Sequence, residues 1–379
     1  MARIGLVLTG GGARGAYQAG VLEAIAGLVP PGPIPFQVLT GVSAGALNAA
    51  FLASRADDFQ AATRDLAALW SALRVEQVIR TGFWSVIAQG LRVLRNLLGG
   101  GVVYSERRNH LLDTTPLQTL VRRAIDAARI RGHLDRGLLH AVGLTTTNYL
   151  TGSSVTHYMA ARPIESWDRS NHVSVETTLG PEHVLASSAL PLFFPAVRVE
   201  GSFHGDGAMR LSAPFRPAIH LGAERIVAVH LRHRDPRQSV RAQNQLPMQS
   251  ISLADIAGVL LNSIFHDSID MDLDRLQRIN RTLAIMTPEQ REHAPDHLRP
   301  IPVMLLRPSH DPARLAGKHF RVLPRVLRYL LRGLGAHAGE ASDMTSYLAF
   351  HADYCSELVQ LGREDARAQR DELLALLSP

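Results

Sequence analysis

Gly41-Val42-Ser43-Ala44-Gly45 is the stretch of this chain best suited to covalent chemistry. An apolar run, Phe36–Thr40, precedes it, and a small-residue helical stretch, Ala46–Arg55, follows at once. Ser43 therefore falls where a strand hands over directly to a helix. Such a turn is tight and strained, so the residues two before and two after the serine must lack bulk. Gly41 and Gly45 meet that need. The turn lifts the hydroxyl above the strand ends and sets it at a helix N-terminus, whose N–H groups and dipole favour negative charge. The chemistry indicated is nucleophilic attack on a carbonyl.

A second signal lies upstream, where the strand Ile4–Leu8 runs into Gly10-Gly11-Gly12-Ala13-Arg14-Gly15. The spacing fits G-x-G-x-x-G, the turn of dinucleotide-binding folds. Those folds place an acidic residue on the second strand roughly 20 residues later, and residues 31–38 hold none. A glycine loop has another use: its bare N–H groups can surround a developing oxyanion, and losing one such donor typically costs about 10² to 10³ in rate. Arg14 then braces the loop or meets a substrate phosphate. A purely structural turn is the plain alternative.

A serine nucleophile needs a base. The familiar α/β-hydrolase order, serine then aspartate then histidine, has its elbow in mid-chain after several strands, whereas here it follows the second. The remaining solution is a dyad. Asp206 lies in Phe203-His204-Gly205-Asp206-Gly207-Ala208, between small residues that allow a neighbouring backbone to approach. An aspartate with an ordinary pKa near 3.9 is a poor base; partial desolvation and contact with the hydroxyl make it a better one. Taken alone, Asp-Gly is a turn.

Taken in order, the glycine loop with its arginine, the GVSAG elbow and the downstream DGA resemble the patatin-like phospholipase family. Ala186-Ser187-Ser188-Ala189-Leu190-Pro191 is similar to the small-residue segment ahead of that family's catalytic aspartate. The resemblance covers about residues 4–231. It implies a three-layer αβα fold with a mainly parallel central sheet, a Ser–Asp dyad, no metal or cofactor, and release of fatty acid from lipid esters of the phospholipase A or lysophospholipase type. By match, Ser43 is the nucleophile and Asp206 the base. Gly10, Gly11, Gly12, Ala13, Arg14 and Gly15 form the oxyanion loop, and Gly207 and Ala208 complete the DGA motif. One departure stands out: Asp206 precedes Gly-Ala rather than Gly-Gly, and Met209–Pro214 replaces an asparagine-rich stretch. Acyl-chain and head-group preference therefore do not transfer. The rivals are an esterase acting on a storage polyester or a thioester, and an inactive lipid- or partner-binding protein on the same scaffold.

These residues need a frame. Two strand–turn–helix units within residues 1–55 predict a mainly parallel sheet covered by helices. Pro30, Pro31, Pro33 and Pro35 stop the first helix. The second helix is expected to continue to Leu73. Residues 80–112 mix large apolar side chains with arginines, and the triple glycine Gly99–Gly101 breaks the helix there, as in a mobile cap. Further strands are expected at Leu138–Thr147, Ser154–Met159, His204–Ala208 and Ile226–Leu231. Arg232–Gln249 reads as a surface loop, Leu253–Met286 as a long helical stretch, Met304–Leu306 as an edge strand and 319–377 as mostly helical. The expected organisation is a catalytic core over 1–232 with a mainly helical region, 233–379, packed on it.

The composition, 46% hydrophobic and 20% charged over 379 residues, is that of a packed globular protein. Lys318 is the sole lysine, so the net charge of +6 is carried almost wholly by arginine. Arginine grips phosphate bidentately in nucleic acid and lipid alike, but no nucleic-acid-binding motif accompanies the charge. A single cysteine, Cys355, excludes an intrachain disulfide and Cys-based zinc sites. The 17 histidines show no metal-ligand spacing; His204, two residues from Asp206, reads as a satisfied or exposed side chain. No run approaches the roughly 20 apolar residues of a membrane span, and the N-terminus reads as a strand. A cytoplasmic protein, soluble or peripheral, is expected. Residues 318–334 place Lys318, Arg321, Arg325, Arg328 and Arg332 opposite Val322, Val326, Tyr329, Leu330 and Leu334, a basic amphipathic pattern suited to peripheral contact with anionic membrane.

Overall fold

Apolar residues alternate along the strands, and the alternation feeds two helical layers at once. The computed structural model describes residues 2–80, 112–169, 171–191, 193–234, 256, 258–260, 267–293, 298–333, 335–339 and 341–378. Among them, ten strands form one sheet: β1 (Ile4–Leu8), β2 (Val38–Val42), β3 (Ala141–Asn148), β4 (Ser154–Ala160), β5 (Asp168–Arg169), β6 (His172–Glu176), β7 (Val197–Val199), β8 (Ser202–Asp206), β9 (Arg225–Val229) and β10 (Val303–Leu306). The order β10-β9-β1-β2-β3 is parallel throughout, and β4, antiparallel to β3, starts the other wing. Ile4, Leu6 and Leu8 of β1, with Val227 and Val229 of β9, join the core on one face. Val7, Ile226 and Ala228 point to the core on the other. This period-two division lets both faces of a parallel sheet be buried.

The larger layer contains α1 (Gly15–Ala26), α2 (Ala44–Ala53), α3 (Phe59–Ser71), α4 (Thr115–Ala124), α5 (Ala127–Asp135) and α6 (Pro181–Ser187). On the opposite face lie α7 (Arg216–His220) and α8 (Asp267–Ile285), with Ile269 and Leu276 inside. The fold is a three-layer αβα sandwich with a mainly parallel sheet. After a short helix, α9 (Pro288–Glu292), β10 adds the edge strand beside β9. The chain then returns to the larger layer as α10 (Pro312–His319), α11 (Arg325–Gly333), α12 (Asp343–Leu348), α13 (Ala352–Ala368) and α14 (Arg370–Leu377). Among the described residues no helix is long and apolar enough to cross a membrane.

Two helical expectations are corrected. The helix after the serine does not run on to Leu73: it ends at Ala53, and α3 starts afresh because Asp58 caps it by accepting the Ala61 N–H at 2.9 Å. The basic segment 318–333 is likewise no single helix. α10 ends at His319, a 3₁₀ turn covers Phe320–Val322, and α11 begins after Pro324. The 80–112 cap lies, but for its two end residues, outside the described residues.

α13 crosses α1 at backbone contact distance. A Cβ at Gly20 would meet the Val359 carbonyl oxygen at 1.9 Å, and one at Gly362 would meet the Tyr17 carbonyl oxygen at 2.2 Å. Gly20→Ala should therefore lower stability by roughly 1–3 kcal/mol through overpacking. Gly132→Ala, in α5 where a Cβ meets nothing within 4 Å, should raise it by about 0.4–1 kcal/mol. Thermal unfolding of both variants against the parent protein checks the pair; equal shifts of one sign would contradict this packing.

Candidate active site

Two strands end against each other along β3. β2 pairs with β3 as far as Val42 opposite Thr145, and the next β3 residue, Thr146, is opposite Asp206 of β8. β2 arrives parallel to β3 and β8 antiparallel to it, so the residue after Val42 and the last residue of β8 are brought together. Those residues are Ser43 and Asp206.

Ser43 has φ 56° and ψ −126°, a left-handed conformation rare for a non-glycine residue. Bulk is excluded on both sides of it: a Cβ at Gly41 would lie 2.3 Å from the Gly45 carbonyl oxygen, and one at Gly45 2.1 Å from that of Leu8. Strain of this kind persists only when neighbours over-determine it, and two serines do so. Ser187 Oγ accepts the Ser43 N–H at 2.9 Å and donates to the Thr145 carbonyl at 2.6 Å. Ser188 Oγ donates to the Ser43 carbonyl at 3.1 Å. The small-residue segment recognised in the sequence thus holds the elbow by both the N–H and the carbonyl of Ser43.

Asp206 is fully buried. Its backbone is fixed by Asp206 N–H donating to the Ala189 carbonyl at 3.0 Å and by Thr147 Oγ1 donating to its own carbonyl at 2.8 Å. Oδ1 accepts the Ala208 N–H at 3.0 Å, so the DGA turn caps the carboxyl it carries. Burial pushes the pKa up to about 7, against the lowering effects of the Ser43 hydroxyl and the Ala208 N–H. Oδ2 has no partner at full hydrogen-bond geometry. The hydroxyl is near enough to act on the carboxyl without being closed onto it, as is common in catalytic sites without substrate. No described histidine is bonded to either residue; His204, on the same face of β8, has Nδ1 2.8 Å from Thr146 Oγ1 instead.

The glycine loop is anchored from below and from behind. Asn48 of α2 donates through Nδ2 to the Gly15 carbonyl at 3.1 Å and to Gln18 Oε1 at 2.9 Å, while Gln18 Nε2 donates to the Thr9 carbonyl at 2.9 Å. Trp70 Nε1 donates to Asn48 Oδ1 at 2.8 Å. This buried network ties the loop to the helix that starts at the elbow. Arg14 does not face the cleft. It is buried, its Nε donates to Ser346 Oγ at 2.8 Å, its Nη2 pairs with Asp343, and its guanidinium lies 4.4 Å from the centre of the Tyr347 ring. Of the two roles open to Arg14, the structure selects the brace, and the partners it braces against belong to α12. Gly12 abuts the same helix, for a Cβ there would lie 2.3 Å from the Tyr347 carbonyl oxygen.

Ser43 and Gly12 open on a cleft that is otherwise almost wholly apolar. Leu47 and Trp70 form one wall, Leu117, Leu120 and Val121 of α4 another, Leu190 and Phe194 a third, and Tyr347, Leu348 and Phe350 the last. Ser187, Ser188, Asn48 and the α12 residues were not read from the sequence as site residues. The adjacent serines among small residues were the one local signal; nothing near Arg14 in sequence points to a partner more than 300 positions away.

The chain matches the family model described as patatin-like phospholipase over residues 6–219. No curated protein matches it. Among solved structures it is similar to VipD from Legionella pneumophila, at 12% identity and TM-score 0.40, covering 98% of this chain and 67% of that one. It is also similar to human GIVD cytosolic phospholipase A2 in complex with methyl gamma-linolenyl fluorophosphonate, at 12% identity and TM-score 0.41. That match covers 99% of this chain and 59% of the human one, so the chain spans between about three fifths and two thirds of these proteins. With the family model matched over more than half its length, the chain belongs to the patatin-like phospholipase family.

Proposed function

We propose that this protein is a serine acyl hydrolase that releases fatty acid from lipid esters through Ser43 and Asp206. Family membership supports lipid acyl hydrolysis in general terms. The observation that carries the finer reading is the strained Ser43, at the mouth of an apolar cleft, beside a buried aspartate whose pKa is pushed up to about 7. Asp206 takes the Oγ proton as Oγ attacks the ester carbonyl. The oxyanion forms against N–H groups of the glycine loop, Gly10–Gly15, with Arg14 holding that loop in place. Collapse expels the alcohol, which leaves with the proton from Asp206, and the acyl group stays on Oγ. Water then attacks the acyl-enzyme, Asp206 takes its proton and returns it to Ser43, and the fatty acid departs. The apolar walls favour an acyl chain over a polar acid, and the phospholipase A or lysophospholipase type of substrate fits them.

The basic stretch extends the reading to the lipid surface. Arg321, Arg325 and Arg332 are exposed, Leu327 and Leu331 are buried, and Val322, Tyr329 and Leu330 face outward among the cations. The segment is packed on the core yet presents apolar and basic side chains together, the composition of a surface that docks on anionic lipid.

Two outcomes are expected. Ser43→Ala and Asp206→Asn should each cost on the order of 10⁴-fold or more in ester hydrolysis, and wild-type kcat/KM should rise with pH through about 7 as Asp206 ionises. The folded pKa of Asp206 lies above its unfolded value, so its favourable contribution to stability is full below about pH 4 and is lost as pH rises through 7. Asp206→Asn should therefore melt higher than wild type at pH 8 and show no such advantage near pH 4. A folded Asp206→Asn protein with substantial activity would remove the dyad. The second outcome concerns docking: Arg321, Arg325, Arg328 and Arg332 changed to Gln should weaken binding to anionic vesicles, each charge being worth on the order of 1 kcal/mol. Hydrolysis of a soluble p-nitrophenyl ester should barely change. Equal loss on both substrates would sink the docking role.

A further inference from the structure

On the face of the sheet that carries Asp206, a second polar cluster serves no step of this chemistry. His157 of β4, His183 of α6 and Glu200 of the turn between β7 and β8 bring three ligand-type atoms within 4.8 Å of one another. Both imidazoles are buried, and His157 Nδ1 and His183 Nε2 lack hydrogen-bond partners. Buried ring nitrogens without partners call for an explanation, and an ion is among the standard ones. Glu200 supplies an independent observation. Its φ is 48°, and Ser43 is the one other non-glycine residue in the described chain with a positive φ. A tight turn of this kind takes glycine at no steric cost and asparagine with little, yet here a glutamate bears the strain and sets its carboxylate beside two imidazoles that each keep one ring nitrogen without a partner.

We propose that His157, His183 and Glu200 form a binding site for one divalent transition-metal ion, zinc being the natural choice for two imidazoles and a carboxylate. The donor set fits at His157 as it stands, and at His183 after a change of tautomer, because His183 Nδ1 now accepts the Gly180 N–H. His157 Nε2 lies 3.1 Å from Thr146 Oγ1, and that hydroxyl lies 2.8 Å from His204 Nδ1. With Nε2–H donating to Thr146 and Thr146 donating to His204, the lone pair of His157 is left on Nδ1, the atom without a partner. His183 Nδ1 faces the Gly180 N–H at 3.0 Å and Glu182 Oε1 at 3.4 Å. A metal on Nε2 requires the proton on Nδ1, shared with Glu182 as ligating histidines commonly share it with a carboxylate. The Gly180 contact is the one that loosens. Ligand atoms around tetrahedral zinc, with bonds of about 2.0–2.1 Å, sit roughly 3.4 Å apart, so the three side chains would draw together on binding, the exposed Glu200 most easily. Three protein ligands leave a fourth position to water.

The site's location gives it a purpose. It would pin β4, the first turn of α6 and the β7–β8 turn together. α6 carries Ser187, which holds the Ser43 N–H, and β8 ends in Asp206. The ion would clamp the two elements that position the dyad without touching substrate, so this inference stands or falls apart from the proposed hydrolysis.

The test uses the full chain, stripped with a chelator and titrated with Zn²⁺ alone and with Co²⁺ alone, reading stoichiometry, the visible cobalt spectrum and Tm. One equivalent should bind and raise Tm. His157→Gln should weaken binding by more than the roughly 10- to 100-fold that loss of an outer partner costs. Glu200→Gly is the sharper variant: it relieves the left-handed strain, so the metal-free protein should melt at or above the wild-type temperature while the metal-induced rise disappears. This variant sits on the surface and stays informative even if His157→Gln fails to fold. Absence of one-equivalent binding by wild type, or a metal-induced rise that survives Glu200→Gly unchanged, would overturn the proposal.

Discussion

Everything at the site depends on one edge of β3 being shared end to end by two strands. Thr145 takes the last residue of β2 and Thr146 takes the last residue of β8. A strand has room for a single partner at each position on one side, so neither β2 nor β8 can lengthen, and their terminal residues must meet. The meeting is crowded. Ser187 bridges the Ser43 N–H and the Thr145 carbonyl, and the Asp206 N–H is held by Ala189. A backbone this constrained can keep Ser43 in a conformation that would relax in a free loop, and can keep a carboxyl dry without an ion pair.

The second constraint comes from far along the chain. α12 supplies Asp343 and Ser346 to Arg14, stacks Tyr347 on its guanidinium and closes the cleft with Tyr347, Leu348 and Phe350. α13 then locks against α1, the helix that the glycine loop opens into. A buried arginine is costly unless its charge is met; here Asp343 pairs with it, Ser346 accepts from it and the Tyr347 ring lies over it, and its pKa is raised despite burial. Removing the helical region would strip a wall from the cleft and leave a cation buried beside the loop. The residues after 232 are thus part of the site's machinery as well as its cover.

How much of this was legible follows from how local each cause is. The elbow could be read because strand, strained serine, flanking glycines and helix lie within a dozen residues. Asp206 could be read only through the order of motifs, since an isolated Asp-Gly is ambiguous. The sheet's parallel half was visible in two strand–turn–helix units. The break at Asp58 was missed because the apolar pattern continues across a cap whose signal is a single side chain. Arg14 keeps two roles in the sequence because its partners come from α12, and the histidine cluster is unreadable there because tertiary packing assembles it. His157, His183 and Glu200 have no shared spacing; β4 and the β7–β8 turn meet across β3, and α6, packed on β3 and β7, brings His183 to them.

The choice of aspartate over histidine as partner to Ser43 has a physical basis in the same geometry. The gap between the ends of β2 and β8 is bounded by backbone: the Thr145 carbonyl beside Gly207, the Ser43 peptide, and the Ala208 N–H. An imidazole placed on β8 at that point would need more room and a second polar partner for its far nitrogen. A carboxyl fits, takes the Ala208 N–H on one oxygen and leaves the other toward the serine. Burial raises its pKa to about 7, which would offset the weakness of an ordinary carboxylate in the proposed role of base. In the proposed mechanism the same dryness would strengthen the glycine loop's hold on a developing oxyanion, since hydrogen bonds gain strength as water is excluded. On the proposed reading the apolar cleft would do two things with one property: receive an acyl chain, and keep the local dielectric low enough for a carboxylate to serve where a histidine is usual.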